Sequence, residues 1–144
     1  MNAERNVATV RTFLHMLELM DIDAWALLWA EDADHHYPFG TEMFPRHIKG
    51  RTEIHRAWQE TPEVFLRMSF ALRETWVDGD TVIARFDGEC VRRDTGLPYV
   101  NNYLAIFRFG QDGLIRAYWE YFDPIVAAEA FGLADVHYRR ALLT

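Results

Sequence analysis

A single cysteine, Cys90, stands among the 144 residues. No disulfide can therefore form within the chain, and no multi-thiolate metal centre can assemble within one subunit. Basic clusters are equally scarce: none exceeds the pairs Arg92-Arg93 and Arg139-Arg140, in a chain of formal charge −7. Phosphate-bearing partners would be repelled, so nucleic acid is not expected as a partner. The N-terminus lacks a basic stretch followed by an apolar run, and nowhere do about 18 apolar residues follow one another. The expectation is a soluble, cytoplasmic protein with no membrane partner. Repeats and low-complexity segments are also missing, so no linker divides the chain. One domain over residues 1–144 is expected, with a core over about 2–133 and a tail over 134–144.

Aromatic residues, by contrast, are abundant. They make up 15% of the chain, with five Trp, six Tyr and ten Phe, and half of all residues are apolar. That is more than helix packing needs, and enough to line a cavity or a subunit interface.

Apolar residues Val7, Val10, Phe13, Leu14 and Leu17 recur at helical spacing from about Asn2 to Met20. Asp21 or Asp23 can cap a second, shorter helix carrying Trp25, Leu28 and Trp29 and ending near Glu31-Asp32. From Ala33 to Phe39 the pattern alternates, which predicts a short strand stopped by Pro38 and Gly40. Ile54, Ala57 and Trp58 then mark a third helix over Arg51 to Glu60, ended by Thr61-Pro62. Four strand-like runs follow: Phe65 to Trp76, Thr81 to Val91, Tyr99 to Phe109 and Leu114 to Asp123. Asp78-Gly79-Asp80, Asp94-Thr95-Gly96 and Gln111-Asp112-Gly113 supply the turns of an antiparallel meander. Pro124 can open a terminal helix stopped by Gly132. Three N-terminal helices packed on a curved antiparallel sheet make a cone-shaped α+β domain enclosing an apolar pocket, with an outer sheet face free to pair in a homodimer.

Within the last run, Tyr118, Glu120 and Phe122 share one strand face and Trp119 and Tyr121 the other. If the first face points inward, Glu120 is an acid in an apolar cavity, where desolvation disfavours its charged form and moves its pKa toward proton chemistry. If outward, it is a solvated charge or a salt-bridge partner of Arg51 or Arg116.

The order of elements, Ala30-Glu31-Asp32-Ala33 running into Tyr37-Pro38, Lys49-Gly50-Arg51 before the third helix, and Asp112-Gly113-Leu114-Ile115 leading to Glu120-Tyr121-Phe122-Asp123-Pro124 together resemble the SnoaL-like branch of the nuclear-transport-factor-2-like superfamily. The resemblance spans roughly Asn2 to Leu133. The fold hosts unrelated activities, so function has to be argued from the site. Ketosteroid isomerase places its general base on what is Tyr37 here, and its oxyanion-hole groups near Phe13 and on Ala105, so that constellation is absent. In limonene epoxide hydrolase the arginine and first aspartate fall on Phe86 and Gly88, the last aspartate on Glu120, and the tyrosine and asparagine on His35 and Tyr37. In the small phenazine-biosynthesis proteins the catalytic glutamate coincides with Glu120 and its histidine partner with Arg51. SnoaL-type cyclases are a general analogy, using an acid/base group in an apolar pocket without cofactor.

These overlays imply that His35, Tyr37, Tyr99, Asn101, Tyr103, Glu120 and Phe122 point inward. Alternation in the third strand agrees, with Val82, Ala84, Phe86 and Cys90 inward and Arg85, Asp87 and Glu89 outward. The candidate catalytic pair is Glu120 with His35. Tyr37, Asn101 and Tyr103 are candidate donors to a substrate oxygen, in a wall of Tyr118, Phe122, Phe86, Trp25, Trp29 and Trp58. His35 could equally be a core histidine, and buried tyrosines mostly serve structure. The neighbours His35 and His36 alternate across a strand, and with His47 and His55 match no zinc spacing, so no metal site and no cofactor are expected. Asp123 precedes Pro124 and reads as a helix cap. Cofactor-independent proton transfer on an apolar, cyclic or polyketide-like small molecule is the leading expectation: isomerisation, dehydration or aldol-type cyclisation. A ligand-binding or accessory dimeric protein is the alternative.

Overall fold

The computed structural model describes residues 2–139 and residue 141. The remainder of the tail expected over 134–144, including Arg140 of the Arg139-Arg140 pair, lies outside the described residues.

Helix α1 (Ala3–Leu19) buries Val10, Phe13, Leu14 and Leu17 on one stripe and ends at Met20, whose φ of 55° closes it in the left-handed region. Asp21 caps α2 (Ile22–Ala26) by accepting the Ala24 N–H at 3.1 Å. The second helix was expected to run through Trp29 to Glu31-Asp32, and it does not. The chain turns extended at Trp29 to begin β1 (Trp29–His36), and the Leu28 carbonyl accepts the Ile115 N–H at 2.9 Å. Trp25 and Trp29, four residues apart, suit a helix face, but pairing of Trp29 with Ile115 places both tryptophans in the core from two different elements. Regular alternation starts only at Ala33, beyond a register shift between Trp29 and Asp34.

A short strand β2 (His47–Lys49), which the sequence pattern did not signal, pairs antiparallel with β1. Gly50, at φ 88°, turns the chain into α3 (Arg51–Trp58), its N–H donating to the Ala33 carbonyl at 2.7 Å. Thr61-Pro62, expected to end the helix, opens a further single turn, α4 (Thr61–Val64). The meander is as expected within a residue or two: β3 (Phe65–Asp78), β4 (Thr81–Arg92), β5 (Pro98–Phe109) and β6 (Ile115–Phe122). Helix α5 (Pro124–Ala130) follows, capped by Asp123 Oδ1, which accepts the N–H groups of Ile125 and Val126.

The six strands lie in the order β2-β1-β6-β5-β4-β3. One correction concerns the sheet: it is mixed, because β1 runs parallel to β6. Pairing across nearly the whole chain leaves no local turn signal, so periodicity could not show it. The expected α+β class holds. Register shifts in β3, at Phe65/Arg67 and Leu72/Glu74, let the long strands bend around the helices. Beneath α1, Phe13 packs on Trp25 at 5.4 Å, Phe107 at 5.0 Å and Tyr118 at 5.2 Å, centroid to centroid. This aromatic plug fills one end of the cone, so any open space is left at the other end.

Candidate functional site

That open end is a cavity of about 480 Å³, its wall formed by the inner faces of β3, β4, β5 and β6 together with α1, α3, α4, the 37–48 segment and the end of α5. Gly88 makes room for it. A Cβ there would stand 2.9 Å from Tyr103 and 3.1 Å from Phe70, ring positions that an alanine would have to displace.

Glu120 lines the cavity and is only 8% exposed. It faces inward because β6 alternates without fault from Tyr118 to Phe122, each of whose even-numbered residues is buried. Neither Arg51 nor Arg116 reaches it: Arg51 pairs with Glu31 and Arg116 with Asp32, each at 3.4 Å. Its partner is Tyr118, whose hydroxyl donates to Glu120 Oε1 at 2.5 Å. Burial pushes the Glu120 pKa up to about 7, the Tyr118 bond opposing that rise. Tyr118 itself is held well above the ordinary phenol range by burial and then by the Glu120 charge, so it stays a donor.

Three other tyrosines stand in the cavity wall. Tyr37, Tyr99 and Tyr103 all have raised pKa values, burial being the first cause for each. The Tyr37 hydroxyl has no hydrogen-bond partner among the described residues, while its ring meets Phe44 and Phe122 edge-on or tilted at 5.8 and 5.6 Å. Tyr103 stacks on Phe86 at 5.0 Å, and its hydroxyl lies 3.3 Å from that of Tyr99. Phe122, Phe86 and Trp58 also line the cavity.

The remaining candidates lie elsewhere. Trp25 and Trp29 are fully buried in the plug, and Tyr118 sits behind Glu120; none of the three lines the cavity. His35 is likewise outside its lining, enclosed by the rings of Tyr37 at 4.5 Å, Tyr118 at 5.2 Å, Trp29 at 5.6 Å and Trp58 at 5.9 Å. Burial drives its pKa down to about 3, so the ring is neutral near pH 7, and neither ring nitrogen has a partner among the described residues. The structure thus brings Glu120 and Tyr37 into the cavity but not the Glu120-His35 pair. Asn101 is occupied by backbone: its Oδ1 accepts the N–H groups of Asn102 and Asp123, and its Nδ2 donates to the Asp123 carbonyl and the Tyr99 hydroxyl.

Lining residues that sequence reasoning missed are Phe44 on the loop before β2 and Phe131 at the end of α5, which meet edge-on at 6.0 Å. Loop and helix-end aromatics carry no periodicity to mark them. The family resemblance places Tyr99 on the inner face without assigning it to the site. Asp34, His36 and His47 have ligand atoms within 4.8 Å of one another on the outer face. His36 and His47 stack in parallel, 7° apart at 4.6 Å, so their in-plane lone pairs do not converge on one ion, and the Lys49 ammonium already sits 3.3 Å from Asp34.

Residues 10–118 match the SnoaL-like domain. The uncharacterized protein YesE of Bacillus subtilis (strain 168) is 33% identical over 133 residues, covering 90% of this chain and 88% of its own. A crystal structure of a candidate isomerase from Bacillus subtilis is 31% identical and superposes with a TM-score of 0.86, over 93% of this chain and 97% of that one. The BvnE pinacolase of Penicillium brevicompactum, at 15% identity and a TM-score of 0.79 over 92% and 95% of the two chains, shares the fold. No helix among the described residues is long and apolar enough to cross a membrane. The chain belongs to the SnoaL-like domain family.

Proposed function

We propose that this protein is a cofactor-independent enzyme that moves a proton on an apolar, carbonyl-bearing cyclic or polyketide-like small molecule. One observation carries the reading: a buried carboxylic acid with a pKa of about 7, Glu120, opens into an aromatic cavity of about 480 Å³. At that pKa the acid and its conjugate base are both populated near neutrality, the condition for general acid–base catalysis. In the reaction, Glu120 as carboxylate takes a proton from carbon next to a carbonyl. The electron pair moves to the carbonyl oxygen, and the Tyr37 hydroxyl donates a hydrogen bond to the enolate so formed. Returning the proton to a different carbon completes an isomerisation; attack of the enolate carbon on a second carbonyl, whose oxygen takes the electron pair and then the proton held by Glu120, completes a cyclisation. Tyr118 holds Glu120 Oε1 and leaves the other carboxylate oxygen for substrate. Support comes also from the enzyme names of two fold relatives, an isomerase candidate and a pinacolase.

Identification of the molecule that co-purifies in the cavity by mass spectrometry, followed by turnover assays, tests the reading. Loss of turnover in Glu120→Gln is expected; full turnover by that variant removes the proposal.

A second reading, a binding protein without chemistry, is favoured by the placement of His35 outside the cavity, which leaves Glu120 without an imidazole partner. It predicts unchanged ligand affinity in Glu120→Gln and no product on long incubation. Either reading includes pairing of two copies through the outer sheet face. There Trp76, Ile83, Ile106 and Trp119 follow one another across β3, β4, β5 and β6, with Trp76 44% exposed. Sedimentation as a monomer would count against that pairing.

A further inference from the structure

We infer that the paired hydroxyls of Tyr99 and Tyr103 form a second oxygen-binding position in the cavity, oriented by Asn101, so that the ligand carries two oxygen functions flanking the carbon that faces Glu120. The inference rests on the site proposed above and specifies its substrate class.

The argument starts from backbone. The N–H groups of Asn102 and Asp123 can only donate, and both point at Asn101 Oδ1, at 2.9 and 3.0 Å. The amide of Asn101 therefore has one allowed orientation, with Nδ2 toward the Asp123 carbonyl at 3.0 Å and the Tyr99 hydroxyl at 2.8 Å. Asn101 has no polar atom left for a ligand. Its Nδ2 donates to the Tyr99 oxygen, which turns the Tyr99 hydrogen away from the amide.

Two phenolic hydrogens then remain for the Tyr99 and Tyr103 hydroxyls, whose oxygens are 3.3 Å apart. One hydrogen lies between them. Whichever ring supplies it, the other has no acceptor among the described residues, and both rings line the cavity. The pair therefore offers one O–H to a ligand, and the raised pKa of both phenols keeps it protonated. Tyr37 offers another.

These two donor positions lie on either side of Glu120. Tyr37 follows β1 and Tyr103 lies on β5, while Glu120 is on β6 between them, with Phe122 directly opposite Tyr103. Two strand spacings and an offset of two residues along the strands put the Tyr37 and Tyr103 backbones about 12 Å apart, with both side chains in the cavity wall. A ligand with one oxygen leaves one buried donor unpaired, which is costly. A rigid frame with oxygens at both ends satisfies both, and holds an intervening carbon over the carboxylate.

The test compares binding of 2-naphthol and 2,6-dihydroxynaphthalene, two probes of one shape that differ in the second oxygen, to the full-length protein by calorimetry. The wild type is expected to prefer the dihydroxy probe by about fivefold, the worth of one hydrogen bond. The double variant Tyr99→Phe/Tyr103→Phe should remove that preference while leaving 2-naphthol affinity within about twofold, and Tyr103→Phe alone, which leaves the Asn101-oriented Tyr99 hydrogen in place, should keep it. No preference in the wild type, or a preference undiminished in the double variant Tyr99→Phe/Tyr103→Phe, overturns the inference. Thermal melts of each variant verify folding. Glu120→Gln separates this claim from the proton-transfer reading: the preference survives there even if that variant turns over normally.

Discussion

Replacing Glu120 by Gln should abolish the pH dependence that this one residue imposes on stability. In the folded chain its pKa is raised from 4.5 to about 7, burial being the cause. The native state therefore holds a proton that the unfolded state releases between those values, and stability attributable to the group falls as pH rises through that window. Linkage puts the loss at about 2 kcal/mol between about pH 5.5 and about pH 8.5, and roughly 3 kcal/mol if the window were crossed completely. A glutamine neither titrates nor carries the buried charge. Relative to wild type, Glu120→Gln should thus gain about 2 kcal/mol over the same interval, whatever its offset at low pH. Urea titrations at both pH values measure this, and because His35 and all surface groups are common to both proteins, their contributions cancel in the difference. A difference between variant and wild type that stays constant with pH would refute the reasoning, since it would mean that Glu120 ionises as an ordinary solvated acid.

Further outcomes follow from single contacts. Tyr118→Phe removes the hydrogen bond that lowers the Glu120 pKa, so that pKa should rise further, by about one unit for a bond to a charged group, as read by the midpoint of the same stability difference. His35, with a pKa pushed down from 6.5 to about 3, binds a proton in the unfolded chain before the folded one. Stability should therefore fall as pH drops below 6.5, by about 2 kcal/mol at about pH 5, and His35→Phe should flatten that acid limb in urea titrations. Gly88→Ala would drive a methyl group into Tyr103 and Phe70, costing about 1–3 kcal/mol and weakening binding of cavity probes. Asp123→Ala should cost about 1 kcal/mol through the lost cap of α5, with the cavity acid untouched.

Strands with regular alternation were legible in the sequence, and alternation grouped Glu120 with Tyr118 and Phe122, but apolar against charged patterning chose the inner face only for Phe86 in the third strand; for Glu120, Tyr103 and Phe122 that choice came from the family resemblance. Asp21 and Asp123 were legible as caps from their places before helix-forming runs. Trp29 was not, since its spacing from Trp25 satisfies a helix as well as the core does, and only its distant partner Ile115 distinguishes the two. The same limit hid the parallel β1–β6 pairing. His35 shows a different boundary: the family resemblance points it inward, but depth is a tertiary property, and the rings of Tyr37 and Trp58 stand around it. Asn101 reads as a polar site residue until its bonds are traced, when the backbone of Asp123 and Asn102 is found to occupy it. Tyr99 gains its importance from that same amide.

Proton transfer at carbon by Glu120 is tested most directly by proton NMR of deuterium uptake from heavy water into 2-tetralone, a cyclic ketone small enough for the cavity. Wild-type protein is predicted to accelerate exchange next to the carbonyl above the buffer rate, with a rate that rises with pH to a plateau about a midpoint near 7, and Glu120→Gln is predicted to lose the acceleration. Acceleration that survives in Glu120→Gln, or exchange by the wild type no faster than in buffer although the ketone binds, would contradict the account.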